Sequence, residues 1–114
     1  MSEIPYSVEV LKEAIELQLK KSNDYQNPKS SIRQADYYPH GLHTILDTIH
    51  AKTLRMRSVL EAMEFDSDYN PNFESLHDSA IDLINYGSFF ASYLAGKMSG
   101  QEMKNIFGKK LTND

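Results

Sequence analysis

Three observations predict an all-α fold, a helical bundle of three main helices plus a short C-terminal helix. Apolar residues recur at helical spacing along three long stretches. Pro, Gly, Asn and Ser positions that start or stop helices bound those stretches. No segment alternates apolar and polar residues long enough to build a sheet. The chain has 114 residues, 40% hydrophobic and 25% charged, which fits one globular domain over 1–114 with its core within about 5–98.

The first helix starts at Pro5 or Ser7 and runs to Asp24, with Pro5 suited to a first turn and Ser7 to a cap. Its apolar stripe is Val8, Leu11, Ile15 and Leu19. Residues 26–40 read as a long polar loop carrying Pro28, Tyr37, Tyr38 and Pro39, a length that points to function or mobility. The second helix spans Gly41 to Met63 with a stripe of Ile45, Ile49, Met56, Leu60 and Met63. Lys52 falls inside that stripe. The third helix runs from Pro71 to Met98, capped by Asn70. Its apolar face is Leu76, Ala80, Leu83, Gly87, Phe90 and Leu94, and its opposite face Glu74, Asp78, Asp82, Asn85 and Phe89. A short helix, Gln101 to Phe107, closes the fold, and the tail from Gly108 frays.

Net charge is −4 and the pI is near 5.5. An acidic chain lacks the basic face that nucleic-acid backbones require, so no such binding is expected. One nucleotide remains within reach, because a metal can carry its phosphates. With no cysteine there is no disulfide, thiolate catalysis or Cys-bound zinc. Met1-Ser-Glu-Ile-Pro5 is neither basic nor apolar enough for a leader, and no apolar run reaches the roughly 18 residues of a membrane span. A soluble cytoplasmic protein without a membrane partner is the expectation.

The most informative stretch is Glu74 to Tyr86. Glu74, Asp78 and Asp82 stand four residues apart, Asn85 follows three later, and all four share one helical face. No Lys or Arg occurs from Asn70 to Ala95. Like charges at this spacing weaken a helix by roughly 0.2–0.5 kcal/mol per pair, so cations from elsewhere should neutralise the row. A divalent ion, Mg2+ or Mn2+, is the simplest candidate, with Glu74, Asp78 and Asp82 as ligands. The alternative is a solvated acidic face favoured by the helix dipole, which accounts for Glu74 and hardly for Asp82.

Lys52 within an apolar stripe meets either the third-helix carboxylates or a ligand phosphate. Arg55 lies one turn further on. The first helix ends in Lys20-Lys21-Ser22-Asn23-Asp24-Tyr25, cations and amides beside an aromatic ring. That group either grips a phosphate and a base or simply complements the helix C-terminus. Glu13 and Glu16 read as a surface stripe, with Glu16 paired to Lys20. His43, Asp47 and His50 share a face and have transition-metal chemistry, but lack an identified further ligand. No glycine-rich phosphate loop or nucleophile elbow is present.

Taken in order, Lys21-x-x-Asp24-Tyr25, Lys52-x-x-Arg55 and Glu74-Ser75-x-x-Asp78-x-x-x-Asp82-Leu83-x-Asn85-Tyr86 resemble the nucleotide modification associated domain family of phage and bacterial proteins. That family is similar to the MazG-like all-α nucleotide pyrophosphohydrolases. The resemblance covers about residues 8 to 95, and its last motif is the specific part. It implies a helical bundle, often oligomeric, that acts on nucleoside triphosphates with Mg2+ in a bacterial or phage-infected cytoplasm. It casts Asp78 and Asp82 as catalytic, with Glu74, Asp78 and Asp82 on the metal. Substrate binding falls to Lys21, Asn23, Asp24, Tyr25, Lys52, Arg55, Asn85 and Tyr86. Lys52 and Arg55 take phosphate and Tyr25 stacks on the base. The sequence departs from the MazG-like pattern at two places. Ser79-x-x-Asp82 stands for the second E-x-x-D, and Asp47-x-x-His50 stands where paired glutamates belong. Three readings follow: a metal-dependent pyrophosphohydrolase, a nucleotide-binding or sequestering phage protein without turnover, and a structural or partner-binding bundle. Wide apolar flanks on the helices predict a homo-oligomer, a dimer first.

Overall fold

A computed structural model describes residues 3–66, 68 and 73–101, with 73–75 as backbone only. It is all-α, as the periodicities predict, with no strand among the described residues. Helix α1 spans Tyr6–Tyr25, α2 Leu42–Phe65 and α3 Phe73–Leu94, and a 3₁₀ turn covers Gln34–Tyr37. Both α1 and α2 pack against α3, which is therefore the central element. The expected start of the third helix at Pro71, the short helix Gln101–Phe107 and the tail from Gly108 lie wholly or largely outside the described residues.

α3 ends four residues before the expected Met98. Gly96 takes φ 74°, Gly96 N–H donates to the Tyr93 carbonyl at 2.9 Å and Lys97 N–H to the Ser92 carbonyl at 3.1 Å. These two bonds are a Schellman stop, which satisfies the last carbonyls around a left-handed residue that glycine adopts freely. The chain then turns back on itself. Gly100, at φ 87°, lies so near Arg33 that a Cβ would sit 2.7 Å from the Arg33 Cβ. Ala35 N–H donates to the Ser99 carbonyl at 3.0 Å. Buried Gln101 accepts from Met98 N–H at 3.0 Å and donates to the Tyr93 carbonyl.

The loop 26–40 is only partly the polar connector it reads as. Its second half folds into the 3₁₀ turn, whose start is fixed by Arg33 N–H donating to the Asp36 carboxylate at 2.8 Å. Ala35 and Tyr38 then enter the main core with Ile45, Phe89, Tyr93 and Met98.

Two of the three predicted stripes are rotated. On α1, Ala14 is buried while Leu11, Ile15 and Leu19 are 49%, 57% and 67% exposed. The small side chain of Ala14 lets α1 approach α3 on a face about 100° away from Ile15. On α3 the buried column is Ile81, Asn85, Phe89 and Tyr93, and Gly87 and Leu94 of the expected face are exposed. Being packed from two sides, α3 buries part of the face on which the acidic row stands. α2 keeps its stripe, with Ile45 fully buried and only Leu60 largely exposed, at 47%.

Candidate functional site

Because α3 is central, its acidic row runs from solvent into the interior. Asp78 is exposed, Asp82 is partly covered one turn later, and Asn85 is buried. Glu74 opens the row on α3, but its side chain lies outside the described residues. At the inner end lies a cleft of about 220 Å3 bounded by all three helices. Lys21 and Tyr25 of α1, Lys52 of α2, and Asp82, Asn85 and Tyr86 of α3 line it, together with Leu17, Gln18 and Phe89. Six sequence-predicted site residues, drawn from all three motifs, thus meet in one place.

The electrostatics centre on Lys52. Its Nζ lies 3.0 Å from an Asp82 carboxylate oxygen, with both side chains partly exposed. It also stands 5.9 Å from the centroid of the Tyr86 ring, within the range where a cation is drawn to the ring face. This ion pair accounts for the lysine in the apolar stripe of α2, and it supplies a counter-charge that the acidic row lacks along its own helix.

The aromatic wall is built edge to face. Phe89 meets Tyr86 at 5.4 Å between centroids and Tyr25 at 6.1 Å, and Tyr25 meets Tyr37 at 5.4 Å. Burial pushes the Tyr86 hydroxyl up to about 12, helped by the neighbouring Tyr25 and by the negative Asp82. Burial raises the Tyr38 hydroxyl further still. The Gln34 amide comes near enough to oppose that rise, yet neither Gln34 Nε2 nor Tyr38 Oη completes a hydrogen bond among the described residues.

The polar wall is an amide bridge between α1 and α3. Gln18 Nε2 donates to Asn85 Oδ1 at 3.1 Å and to Ser88 Oγ at 3.0 Å. Gln18 escapes the sequence reading because the leucine stripe of α1 points elsewhere. Ala14, Gln18, Lys21 and Tyr25 fall at helical spacing, and that shared face is the signal that would have found it.

Other expected residues stand outside the cleft. Asn23 and Asp24 are exposed near the end of α1. Arg55 lies along an adjoining shallow groove on α2 with Thr44, Asp47 and Thr48, which shares Lys52 with the cleft. His43, Asp47 and His50 do not converge: no three His or acidic side chains gather into a metal-binding group among the described residues. On the outer face of α1, Glu13 reaches across to His77 of α3 at 2.7 Å. The ion pair formed within that helix is Lys12–Glu9 at 3.4 Å rather than Glu16–Lys20. No described helix is long and apolar enough to cross a membrane. Comparison with family models, curated proteins and solved structures found no match.

Proposed function

We propose that this chain binds a nucleoside phosphate in the cleft between α1, α2 and α3. The observation that supports this most is the convergence of Lys21 and Lys52 with the rings of Tyr25, Tyr86 and Phe89 and the amides of Gln18 and Asn85. Cations attract phosphate, rings stack on a base, and amides hydrogen-bond its edge. At about 220 Å3 the cleft is below the roughly 300–1,000 Å3 of typical ligand pockets. It suits a base, with the phosphates reaching past exposed Lys21 toward solvent. In this reading the Asp82–Lys52 pair holds the lysine neutralised until a phosphate competes for it.

Metal-dependent cleavage to monophosphate and pyrophosphate is the second reading, favoured by the position of Asp82 in the same cleft. Asp78 and Asp82, one turn apart on α3, offer the hard oxygen donors that Mg2+ or Mn2+ takes alongside phosphate oxygens. Bound there, the ion would neutralise phosphate charge and activate water. Binding without turnover is the simpler reading, because Asp82 already has a partner in Lys52. Thermal-shift measurements with a panel of nucleoside triphosphates, with and without Mg2+ or Mn2+, followed by chromatography of the products, separate the readings. A shift without products supports binding, products support hydrolysis, and neither outcome leaves a structural bundle.

We also propose that the chain self-associates, as a dimer first, through the exposed Leu11–Ile15–Leu19 stripe of α1. A helix face this apolar is the kind of surface a second copy covers. The cytoplasm of a bacterium or a phage-infected host, where nucleotides and Mg2+ abound, is the proposed setting.

A further inference from the structure

The amide bridge of the cleft has a fixed sense. Ser88 Oγ lies 2.6 Å from the Asn85 carbonyl oxygen. A carbonyl only accepts, so the single Ser88 hydroxyl proton is committed there. Ser88 Oγ therefore accepts from Gln18, 3.0 Å away, and the Gln18 side chain must present its NH2 group. The second N–H of that group meets Asn85 at 3.1 Å, so Asn85 must present its oxygen to Gln18. The Asn85 Nδ2 group, with two N–H donors, is what remains at the cavity wall. No hydrogen bond ties it to a described residue, and on a side chain whose residue is 8% exposed it is not among the atoms sealed from solvent. The Gln18 Oε1 acceptor is likewise left over by the bridge, on the more exposed of the two side chains. A donor held in one orientation on a largely buried side chain, in a wall it shares with the rings of Tyr25, Tyr86 and Phe89 and the charges of Lys21, Lys52 and Asp82, favours an acceptor on whatever enters.

Resting on the nucleotide-binding reading above, we infer that Asn85 and Gln18 are specificity residues for the base. They select one that carries a keto oxygen beside a ring N–H, as thymine, uracil, guanine and hypoxanthine do. The exocyclic group is the tip of a base and reaches deepest. A keto oxygen there accepts from Asn85 Nδ2, and the adjoining ring N–H donates to the shallower Gln18 Oε1. Adenine and cytosine place an amino donor against the Asn85 donors. Ser88 acts through Gln18 as a positioning residue.

The test is calorimetric titration of the full chain with dTTP, dCTP, dGTP, dATP and inorganic tripolyphosphate. It is repeated on Asn85→Asp, which exchanges the donors for an acceptor, and on Ser88→Ala, which releases the Gln18 amide. Circular dichroism melting verifies that each variant folds. The expected result is dTTP over dCTP and dGTP over dATP by at least about tenfold, since a mismatched edge sets an amino donor against the Asn85 donors. Asn85→Asp should abolish or invert those ratios, and Ser88→Ala should shrink them. A purely structural bridge would lower the melting temperature and leave the ratios untouched, which overturns the inference. Ratios near one, the opposite preference, or tripolyphosphate binding as tightly as every nucleotide also overturn it, while leaving phosphate capture in place. Absence of binding by every probe overturns the nucleotide reading itself.

Discussion

The two faces of α3 are built on different physics. Toward α2 and the returning chain, Ile45, Phe89, Tyr93, Met98, Ala35 and Tyr38 close into an apolar core. Toward α1, the contact is a small buried alanine, an amide bridge from Gln18, a His77–Glu13 pair and a cleft to which α1 brings Lys21, α2 brings Lys52 and α3 brings Asp82. Burial of apolar area holds the first face and needs no particular partner geometry. Directional polar contacts hold the second, each of small net worth. The stable face thus serves as a scaffold, and the weaker one keeps polar groups that a ligand can engage.

Substitutions should separate the faces by size of effect. Ile45→Ala empties a fully buried site of the core and should cost about 2–5 kcal/mol of unfolding free energy in urea titration. Lys52→Met or Asp82→Asn breaks the 3.0 Å ion pair at the edge of the cleft. Because both side chains are partly solvated, the expected loss is about 1–3 kcal/mol, between surface and buried pairs. Unchanged or raised stability of Asp82→Asn without metal would instead favour Asp82 as a metal ligand relieved of its repulsion from Asp78. Gln18→Ala should cost about 1 kcal/mol. A loss as large as that of Ile45→Ala would show that the polar face is no weaker than the core.

Ile15→Glu tests a third surface. Ile15 is 57% exposed, so the change should leave the monomer fold intact and shift light scattering to 13.1 kDa. A larger species that persists would remove the α1 stripe from any interface.

A further expected effect is alkaline. The Tyr86 hydroxyl is raised from 10.0 to about 12 in the folded chain. Between those values the folded state holds a proton that the unfolded state has lost. Stability is therefore complete below pH ~10 and declines as pH rises toward 12. Tyr86→Phe should make that decline less steep, leaving the part that comes from the buried Tyr38 hydroxyl, and equal pH slopes for both proteins would disprove the assignment.

The sequence makes the helices legible and their orientation only in part. Periodicity locates α1 to within a residue of its end, because twenty residues of regular spacing average out local exceptions. It misplaces the buried face of α1, since Leu11, Ile15 and Leu19 make the stronger stripe although the contact with α3 uses Ala14 and Gln18. The early end of α3 was open to inspection in Gly96, a residue suited to a left-handed stop. The core role of Tyr38 was not, because it depends on the chain after α3 folding back over residues 33–38. At the site, motif order brought Lys21, Tyr25, Lys52, Asp82, Asn85 and Tyr86 forward together. Gln18 belongs to no motif and becomes visible only once α1 is seated on α3.

The most direct test of the nucleotide cleft is a two-dimensional NMR titration of the 15N-labelled chain with dTTP or dGTP. The side-chain amides of Gln18 and Asn85 and the backbone amides around Lys21, Tyr25, Asp82 and Tyr86 should shift together and saturate on one isotherm. The Lys52→Met variant should weaken that isotherm at least about tenfold, roughly 1.4 kcal/mol. Shifts confined to the α2 groove of Thr44, Asp47 and Arg55, or none at millimolar nucleotide, would contradict the assignment of this cleft.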